Sequence, residues 1–216
     1  LVMIAARKGS DISLKINENY CKSVIGKLKH RGPDDEGIII RENTDSVFAL
    51  MHRRLAVLDL SKRGHQPMSY DNIDLIYNGE IYNFKEIKKD LETKKGYSFD
   101  TATDTEVLLK AYAEYGEDFI SKINGMFAFV ILDRKKNKII IARDRYGIKP
   151  LYYTSGNGYF IVSSEINPIL TEVKKSLNTN ILGEYFEYRF TEGCDTYFNQ
   201  IYEFPIGEYF ILDEKF

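Results

Sequence analysis

The sequence predicts an α+β fold with mainly antiparallel sheets. Segments rich in β-branched and aromatic residues cluster between two stretches of helical periodicity, and short polar turns join several of them. The run from Met126 to Ile131 is almost continuously apolar, so at least one sheet needs cover on both of its faces. These observations indicate layers of sheet and helix, although periodicity does not give the number of layers.

The first third of the chain contains a strand, a helix and three further strands in this prediction. The first strand is predicted from Val2 to Ala6, and the helix around Glu18 to Lys29. Within the helix, apolar side chains recur every four residues at Tyr20, Val24 and Leu28. The further strands are predicted at Gly37 to Arg41, Ser46 to His52 and Ile73 to Tyr77.

Two helices and two hairpins follow in the prediction. Asn78 and Gly79 form a pair that favours a tight turn. The helical stripes lie at Phe84, Ile87 and Leu91 and at Val107, Leu108, Ala111 and Tyr112. Asp104 precedes the second stripe and has the short carboxylate favoured at a helix N-cap, and a ligand role is equally open. The hairpins pair Phe127 to Leu132 with Lys138 to Ala142, and Leu151 to Thr154 with Tyr159 to Ser163.

Composition excludes several classes of protein. The 216 residues carry 44% hydrophobic and 29% charged side chains with a formal net charge of -2, which indicates neither disorder nor a surface for polyanions. Nucleic acid is therefore not an expected partner. No apolar run reaches the roughly 18 residues of a membrane span or has the form of a signal peptide, so we expect a cytoplasmic protein without membrane contact. No domain boundary is predicted within residues 1–216.

The two cysteines do not indicate a metal site or a disulfide scaffold. Cys21 and Cys194 are far apart, have no CxxC partner, and are accompanied by three histidines in the whole chain. We expect no metal in this domain and treat both thiols as packing or surface groups.

Three short runs carry groups that could perform chemistry. The run from His30 to Asp34 forms a rigid, charged corner before a strand, or a plain loop. Arg53 and Arg54 are adjacent guanidinium groups, which are costly to bury unless a carboxylate meets them. Because neighbours in an extended chain point to opposite faces, only one of the two should face a given pocket. In the run from Asn78 to Glu80, a side-chain amide and the following N–H could converge on an oxyanion, although such a pair is more often only a turn.

Eight motifs together carry a family resemblance. The runs HRGPDDEG, MHRRLAVLDL, GHQPM, YNGEIYNF, TDTEVLL, GMFAF, ARDRYGIKPLYY and SSEI occur in the order and spacing of class II glutamine amidotransferases. The chain most resembles the asparagine synthetase branch, and the resemblance covers nearly all of it. It implies an N-terminal-nucleophile (Ntn) hydrolase fold, a four-layer αββα sandwich. It also implies a glutaminase domain that supplies ammonia from glutamine for the ATP-dependent amidation of aspartate.

The resemblance also implies catalytic positions. In such domains an N-terminal cysteine attacks the glutamine amide, and its own α-amine serves as the base. The side chain of Asn78 and the N–H of Gly79 would form the oxyanion hole. The family begins with a run of the type Met-Cys-Gly-Ile-Ala-Gly, whereas this chain begins Leu-Val-Met-Ile-Ala-Ala, which places Val2 at the nucleophile position. Valine cannot attack, so we expect the chain as written to bind glutamine weakly or not at all and not to hydrolyse it.

The substrate-binding positions follow from the same resemblance. Arg54 would hold the glutamine α-carboxylate as a bidentate fork, while Glu80 and Asp104 would receive the α-ammonium. His52 and Arg31 would support the pocket. For Arg53 we expect a solvated surface charge.

The last predictions from the sequence concern the partners of the domain and its alternative functions. Glutamine and a C-terminal or separate synthetase domain are the expected partners, and a homodimer is left open. The chain contains no GxxxxGK[ST] run, so ATP and Mg²⁺ are expected only in the synthetase domain, and no cofactor is expected here. A non-catalytic domain, as in β-lactam synthetases that do not use glutamine, is the main alternative. A third possible function is that of an unrelated α+β binding module, in which each motif is only a turn or a helix cap.

Overall fold

A computed structural model describes residues 1–57, 61–191 and 193–213. The strands are β1 (Val2–Arg7), β2 (Asp35–Glu42), β3 (Ser46–Arg54), β4 (Met68–Tyr70), β5 (Ile73–Ile81), β6 (Gly125–Asp133), β7 (Lys138–Arg143), β8 (Tyr152–Gly156), β9 (Tyr159–Ser163), β10 (Tyr202–Glu203) and β11 (Tyr209–Leu212). The α-helices are α1 (Asp11–Lys15), α2 (Glu18–Gly26), α3 (Phe84–Lys95), α4 (Asp104–Tyr115), α5 (Phe119–Lys122), α6 (Ile166–Ile169) and α7 (Leu182–Tyr188). Short 3₁₀ helices span Lys29–Arg31, Lys62–Gly64, Gly116–Asp118 and Thr179–Ile181.

The strands form two antiparallel sheets. The first has the order β10-β8-β9-β1-β3-β2, and the second has the order β11-β7-β6-β5-β4. All pairings within these sheets are antiparallel. The predicted α+β class with mainly antiparallel sheets is therefore confirmed.

Three apolar clusters separate four layers. Between the sheets, Leu50 of β3 packs in one cluster with Ile76 of β5. On the outer face of the first sheet, α1, α2 and α6 bury residues such as Val24 against the strands. On the outer face of the second sheet, α3, α4 and α5 contribute residues such as Tyr112 and Phe119. The order helix, sheet, sheet, helix is the αββα sandwich that the resemblance implies.

Side chains alternate along β1 between two of these clusters. Leu1, Met3 and Ala5 face the second sheet, whereas Val2 and Ile4 face the helices outside the first sheet. The side chain of each residue near the start of the chain therefore lies on a known face of the first sheet.

Helix α4 starts one residue earlier than the cap prediction implied. Thr103 is the N-cap, and its hydroxyl accepts from the N–H of Glu106 at 3.3 Å. Asp104 is the first helical residue, so the prediction that Asp104 caps the helix was wrong. A threonine oxygen one residue before the aspartate performs the capping, and the Asp104 carboxylate is left for other contacts.

The predicted tight turn at Asn78 and Gly79 was also wrong. Both residues lie inside β5, where they pair with Ala128 and Phe127 of β6. Pairing with a strand nearly fifty residues away overrides the local turn preference. Glycine is required there because a Cβ atom on Gly79 would lie 2.3 Å from the carbonyl oxygen of Met126.

Periodicity missed the short elements. Helices α1, α5, α6 and α7 and strands β4, β10 and β11 were not predicted, because pieces of two to seven residues show too few periods. None of the helices in the described ranges is both long and apolar enough to cross a membrane.

Candidate active site

A cavity of about 280 Å³ lies where β3 and β5 end and α4 begins. The sequence-predicted residues that line it come from several parts of the chain: Arg31, His52, Arg54, Asn78, Gly79, Glu80 and Asp104. Seven of the eight predicted site residues are therefore brought together. Residues 58–60, which end the MHRRLAVLDL run, lie outside the described residues.

Val2 is the predicted site residue that the structure places elsewhere. Its side chain is fully buried on the helix-facing side of β1, in the cluster that contains Cys21 and Val24. Leu1 lines the cavity instead. Strand side chains alternate between faces, so a shift of one residue in the alignment moves the assigned side chain to the opposite side of the sheet. Of the first two residues, Leu1 and not Val2 has its side chain on the cavity side of the first sheet.

The two adjacent arginines are both held by protein groups. The guanidinium of Arg54 donates to the carbonyl of Ser61 at 2.9 Å, and the residue is 9% exposed. Arg53 pairs with Glu36 at 2.6 Å and its side chain is 14% exposed, so the expectation of a solvated surface charge was wrong. A carboxylate on the neighbouring strand β2 makes this burial tolerable. Both arginines line the cavity, so the prediction that only one of them would face a given pocket was wrong.

Strand β5 supplies polar groups to the cavity across from the arginines of β3. Asn78 and Glu80 lie two and four residues after Ile76, whose side chain packs between the sheets. Because alternate side chains of a strand lie on the same face, both point towards the space between the sheets. Asn78 carries an amide donor, and Gly79 adds its backbone beside it at the cavity. Such donors can stabilise an oxyanion when they are fixed in advance.

Asp104 is fixed by two donors that converge on one oxygen. The hydroxyl of Tyr77 donates to Oδ2 at 2.7 Å, and the N–H of Ile81 donates to the same oxygen at 3.0 Å. Burial raises the pKa of Asp104, while both donors act in the opposite direction. The cavity thus contains a carboxylate whose charge depends on its hydrogen bonds.

His52 bridges the two sheets in its neutral form. Its Nε2 lies 2.9 Å from the carbonyl oxygen of Tyr77, so this nitrogen must carry the hydrogen. Burial holds the pKa of His52 well below its usual range. A neutral imidazole therefore links β3 to the strand that carries Asn78 and Gly79.

Arg31 is oriented by the SSEI motif. Its guanidinium donates to Glu165 at 3.3 Å, and His30 contacts the same oxygen at 2.9 Å. At the preceding position of the motif, the hydroxyl of Ser164 accepts from the N-terminal nitrogen of Leu1 at 3.2 Å. The motif therefore aligns both the start of β1 and one side of the cavity.

Sequence reasoning missed further lining residues. Gln66, Tyr77, Thr103 and Lys149 also line the cavity. Gln66 belongs to GHQPM and Lys149 to GIKP, so their place inside shared motifs could have marked them. Tyr77 and Thr103 likewise open YNGEIYNF and TDTEVLL, although a tyrosine in a buried strand is usually only a core residue.

A family model described as a glutamine amidotransferase domain matches residues 7–216. The chain belongs to this family. This amidotransferase domain is 38% identical to a putative glutamine-hydrolysing asparagine synthetase 2 of Methanocaldococcus jannaschii, in a match that covers 93% of the chain and 43% of the relative. It is 39% identical to the glutamine-hydrolysing asparagine synthetase 1 of Bacillus subtilis, over 80% of the chain and 27% of that relative. The predicted resemblance to the asparagine synthetase branch is confirmed.

Solved structures confirm the fold of the amidotransferase domain. The glutamine phosphoribosylpyrophosphate amidotransferase of Bacillus subtilis, complexed with ADP and GMP, aligns with a TM-score of 0.58 at 21% identity. That alignment covers 78% of the chain and 43% of the solved one. The likeness supports the Ntn-hydrolase sandwich. The domain spans less than half the length of these relatives.

Proposed function

We propose that this domain binds glutamine and, when position 1 is a cysteine, hydrolyses its side-chain amide to supply ammonia. The observation that supports this proposal is the convergence, in one cavity, of groups that match both ends of the ligand. Arg54 matches the α-carboxylate, and Glu80 with Asp104 matches the α-ammonium. At the other end, Asn78 and Gly79 match the oxygen of the side-chain amide.

The chemistry of the proposed reaction is acyl transfer in two steps. A thiolate at position 1 attacks the amide carbon, and the negative charge on oxygen is stabilised by Asn78 and the N–H of Gly79. The tetrahedral intermediate collapses as its nitrogen takes the proton that the thiol gave to the α-amine, so ammonia leaves and a thioester remains. Water then hydrolyses the thioester to glutamate and restores the thiol. Leu1 has no such nucleophile, so the chain as it stands is expected to be inactive.

We further propose that the ammonia passes to a synthetase part that uses ATP and Mg²⁺ to amidate aspartate. The names and lengths of the relatives support this proposal. A surface beside the cavity also supports it: Tyr146 is 81% exposed and Ile148 is 53% exposed, while the next residue, Lys149, lines the cavity. Exposed apolar groups on an ordered turn are typical of a contact surface. A cytoplasmic location and a homodimer stay predictions from the sequence.

A second function is favoured by one specific observation. Leu1, whose side chain has no nucleophilic atom, lines the cavity. A non-catalytic domain that supports a synthetase without using glutamine would tolerate this residue. The two functions differ in whether the rest of the cavity can still support hydrolysis.

Glutamate release from glutamine separates the two functions. We would compare the chain as it stands with one that begins with Cys in place of Leu1 and one that begins directly with Cys in place of Val2. The geometry predicts turnover only for Cys at position 1, because a thiol at position 2 would point towards Cys21 and α2. Turnover by the second version alone would refute the assignment of Leu1. Folded versions without any turnover would favour the non-catalytic function.

A further inference from the structure

We propose that Tyr77 is a positioning residue that makes the cavity selective for ligands with a free α-ammonium group. The inference rests on the proposed binding of glutamine, and it concerns a residue to which the family resemblance assigned no role. The hydroxyl of Tyr77 is bonded to Asp104. It acts through Asp104, which the proposed function assigns to the amino group of the ligand.

Tyr77 is hydrogen-bonded to three other segments of the chain. Its hydroxyl donates to Asp104 at 2.7 Å, and its backbone N–H donates to Oε1 of Gln66 at 2.7 Å. Its carbonyl accepts from His52 at 2.9 Å. The residue is 3% exposed, and its ring packs in the cluster between the second sheet and its helices. These contacts leave the phenol little freedom to move, so the hydroxyl has a defined position beside α4.

The position of the hydroxyl determines the orientation of the Asp104 carboxylate. Both the hydroxyl and the N–H of Ile81 bind Oδ2, and together they fix the rotation of the group at the first turn of α4. Asp104 lines the cavity between Thr103 and Thr105. A carboxylate held in this way is already ordered before an ammonium group binds, so binding loses less side-chain entropy.

The same hydrogen bond favours the charged form of Asp104. Burial raises the pKa of Asp104, and the donors Ile81 and Tyr77 oppose that effect. Burial, together with the charge of Asp104, also raises the pKa of Tyr77, so the phenol stays protonated and donates. Without the hydroxyl, the carboxylate would lose orientation and part of its charge, and its attraction for an ammonium group would fall.

A role in packing alone predicts a different outcome. The ring of Tyr77 would pack equally well as phenylalanine, and removal of one oxygen would then affect stability without changing which ligand is preferred. Selectivity between two ligands that differ only in the amino group is therefore the decisive measurement.

The experiment compares the affinities of L-glutamine and 4-carbamoylbutanoate, which is glutamine without the α-amino group. Calorimetric titrations would use the Leu1→Ala chain, because this change removes the isobutyl group from the cavity and adds no nucleophile that would consume the ligand. Tyr77→Phe should weaken glutamine binding roughly tenfold or more, as expected for loss of a hydrogen bond to a charged group, and leave the amino-free ligand within about twofold.

Tyr112→Phe is the matched control. Tyr112 is equally buried and its hydroxyl donates to Asp133 at 2.9 Å, but it does not line the cavity. This variant loses the same kind of hydrogen bond and should keep the preference for glutamine. If Tyr77→Phe proves unstable, Asp104→Asn tests the same contact from its other partner and should reduce the preference for glutamine. When the two changes are combined, the removal of the hydroxyl should change the preference no further than Asp104→Asn alone.

Three results would overturn the inference. Tyr77→Phe could keep the preference for glutamine, or could lower the affinity for both ligands equally. Either result would indicate a structural role alone. In the Asp104→Asn background, a further change of preference on Tyr77→Phe would show that Tyr77 does not act through Asp104. If the Leu1→Ala chain binds both ligands equally, this inference fails together with the assignment of Glu80 and Asp104 to the ammonium group, whereas glutamine binding stands. If it binds neither ligand, the proposed function fails as well.

Discussion

Replacing Asp144 by asparagine tests how strongly one buried carboxylate organises the turn beside the cavity. Asp144 is fully buried and accepts four backbone N–H groups. Its Oδ1 binds the N–H groups of Tyr146 and Ile148, each at 3.0 Å. Its Oδ2 binds those of Lys149 at 3.0 Å and Phe127 at 3.2 Å. Asn has one acceptor oxygen, so its NH₂ group would face two donors.

The size of the effect follows from these four bonds. Two would be lost, and two would become bonds to a neutral acceptor. Hydrogen bonds to charged groups contribute about 1.5–3 kcal/mol each, and a buried donor without a partner carries a penalty of similar size. We therefore expect Asp144→Asn to lower the free energy of unfolding by about 3–6 kcal/mol. That is a large part of the roughly 5–15 kcal/mol typical of a domain.

Urea unfolding followed by tyrosine fluorescence would measure this loss, since the chain has 16 tyrosines and no tryptophan. Asp11→Asn is the matched control, because it makes the same change of charge at an exposed site in the first turn of α1. The control should change stability by less than about 1 kcal/mol. A difference between the two variants below about 1 kcal/mol would refute the reasoning.

The effect of Asp144→Asn on stability should depend on pH. Burial raises the pKa of Asp144, but the four N–H donors outweigh it and hold the pKa below its ordinary value. A lowered pKa in the folded state stabilises the protein fully above the unfolded value of about 3.9, and this contribution is lost as the pH falls through the folded value. The stability gap between wild type and Asp144→Asn should thus be constant above about pH 5 and shrink below about pH 4. A gap that shrinks as the pH rises would contradict the assignment.

Two further substitutions test the cavity and the strand beside it. Arg54→Lys keeps the charge but loses the planar fork, so glutamine binding to the Leu1→Ala chain should weaken roughly tenfold by calorimetry, whereas Arg63→Lys at the surface should not change it. Gly79→Ala should lower the free energy of unfolding by about 1–3 kcal/mol or more, because its Cβ would lie 2.3 Å from the Met126 oxygen. Gly26→Ala, whose Cβ would meet nothing within 4 Å, should be neutral or stabilising in the same urea assay.

Long-range strand pairing explains where local patterns misled. Asn78 and Gly79 have the composition of a hairpin turn, yet they continue β5 because β6 supplies hydrogen-bond partners along its length. Arg53 was expected at the surface, yet Glu36 on the paired strand meets it. Neither partner is near in sequence. A window of a few residues does not contain the interactions that decide these cases.

The sequence by itself determined the class of fold, most strands and longer helices, and, through its motifs, seven residues that line one cavity. These features depend on local periodicity or on residue types that recur in a family. Only the tertiary structure decided that Leu1 and not Val2 faces the cavity, and that Tyr77 joins Asp104, His52 and Gln66. The physical reason is that strand register selects the face of each side chain, and that hydrogen bonds between distant segments exist only once both sheets and α4 have packed together.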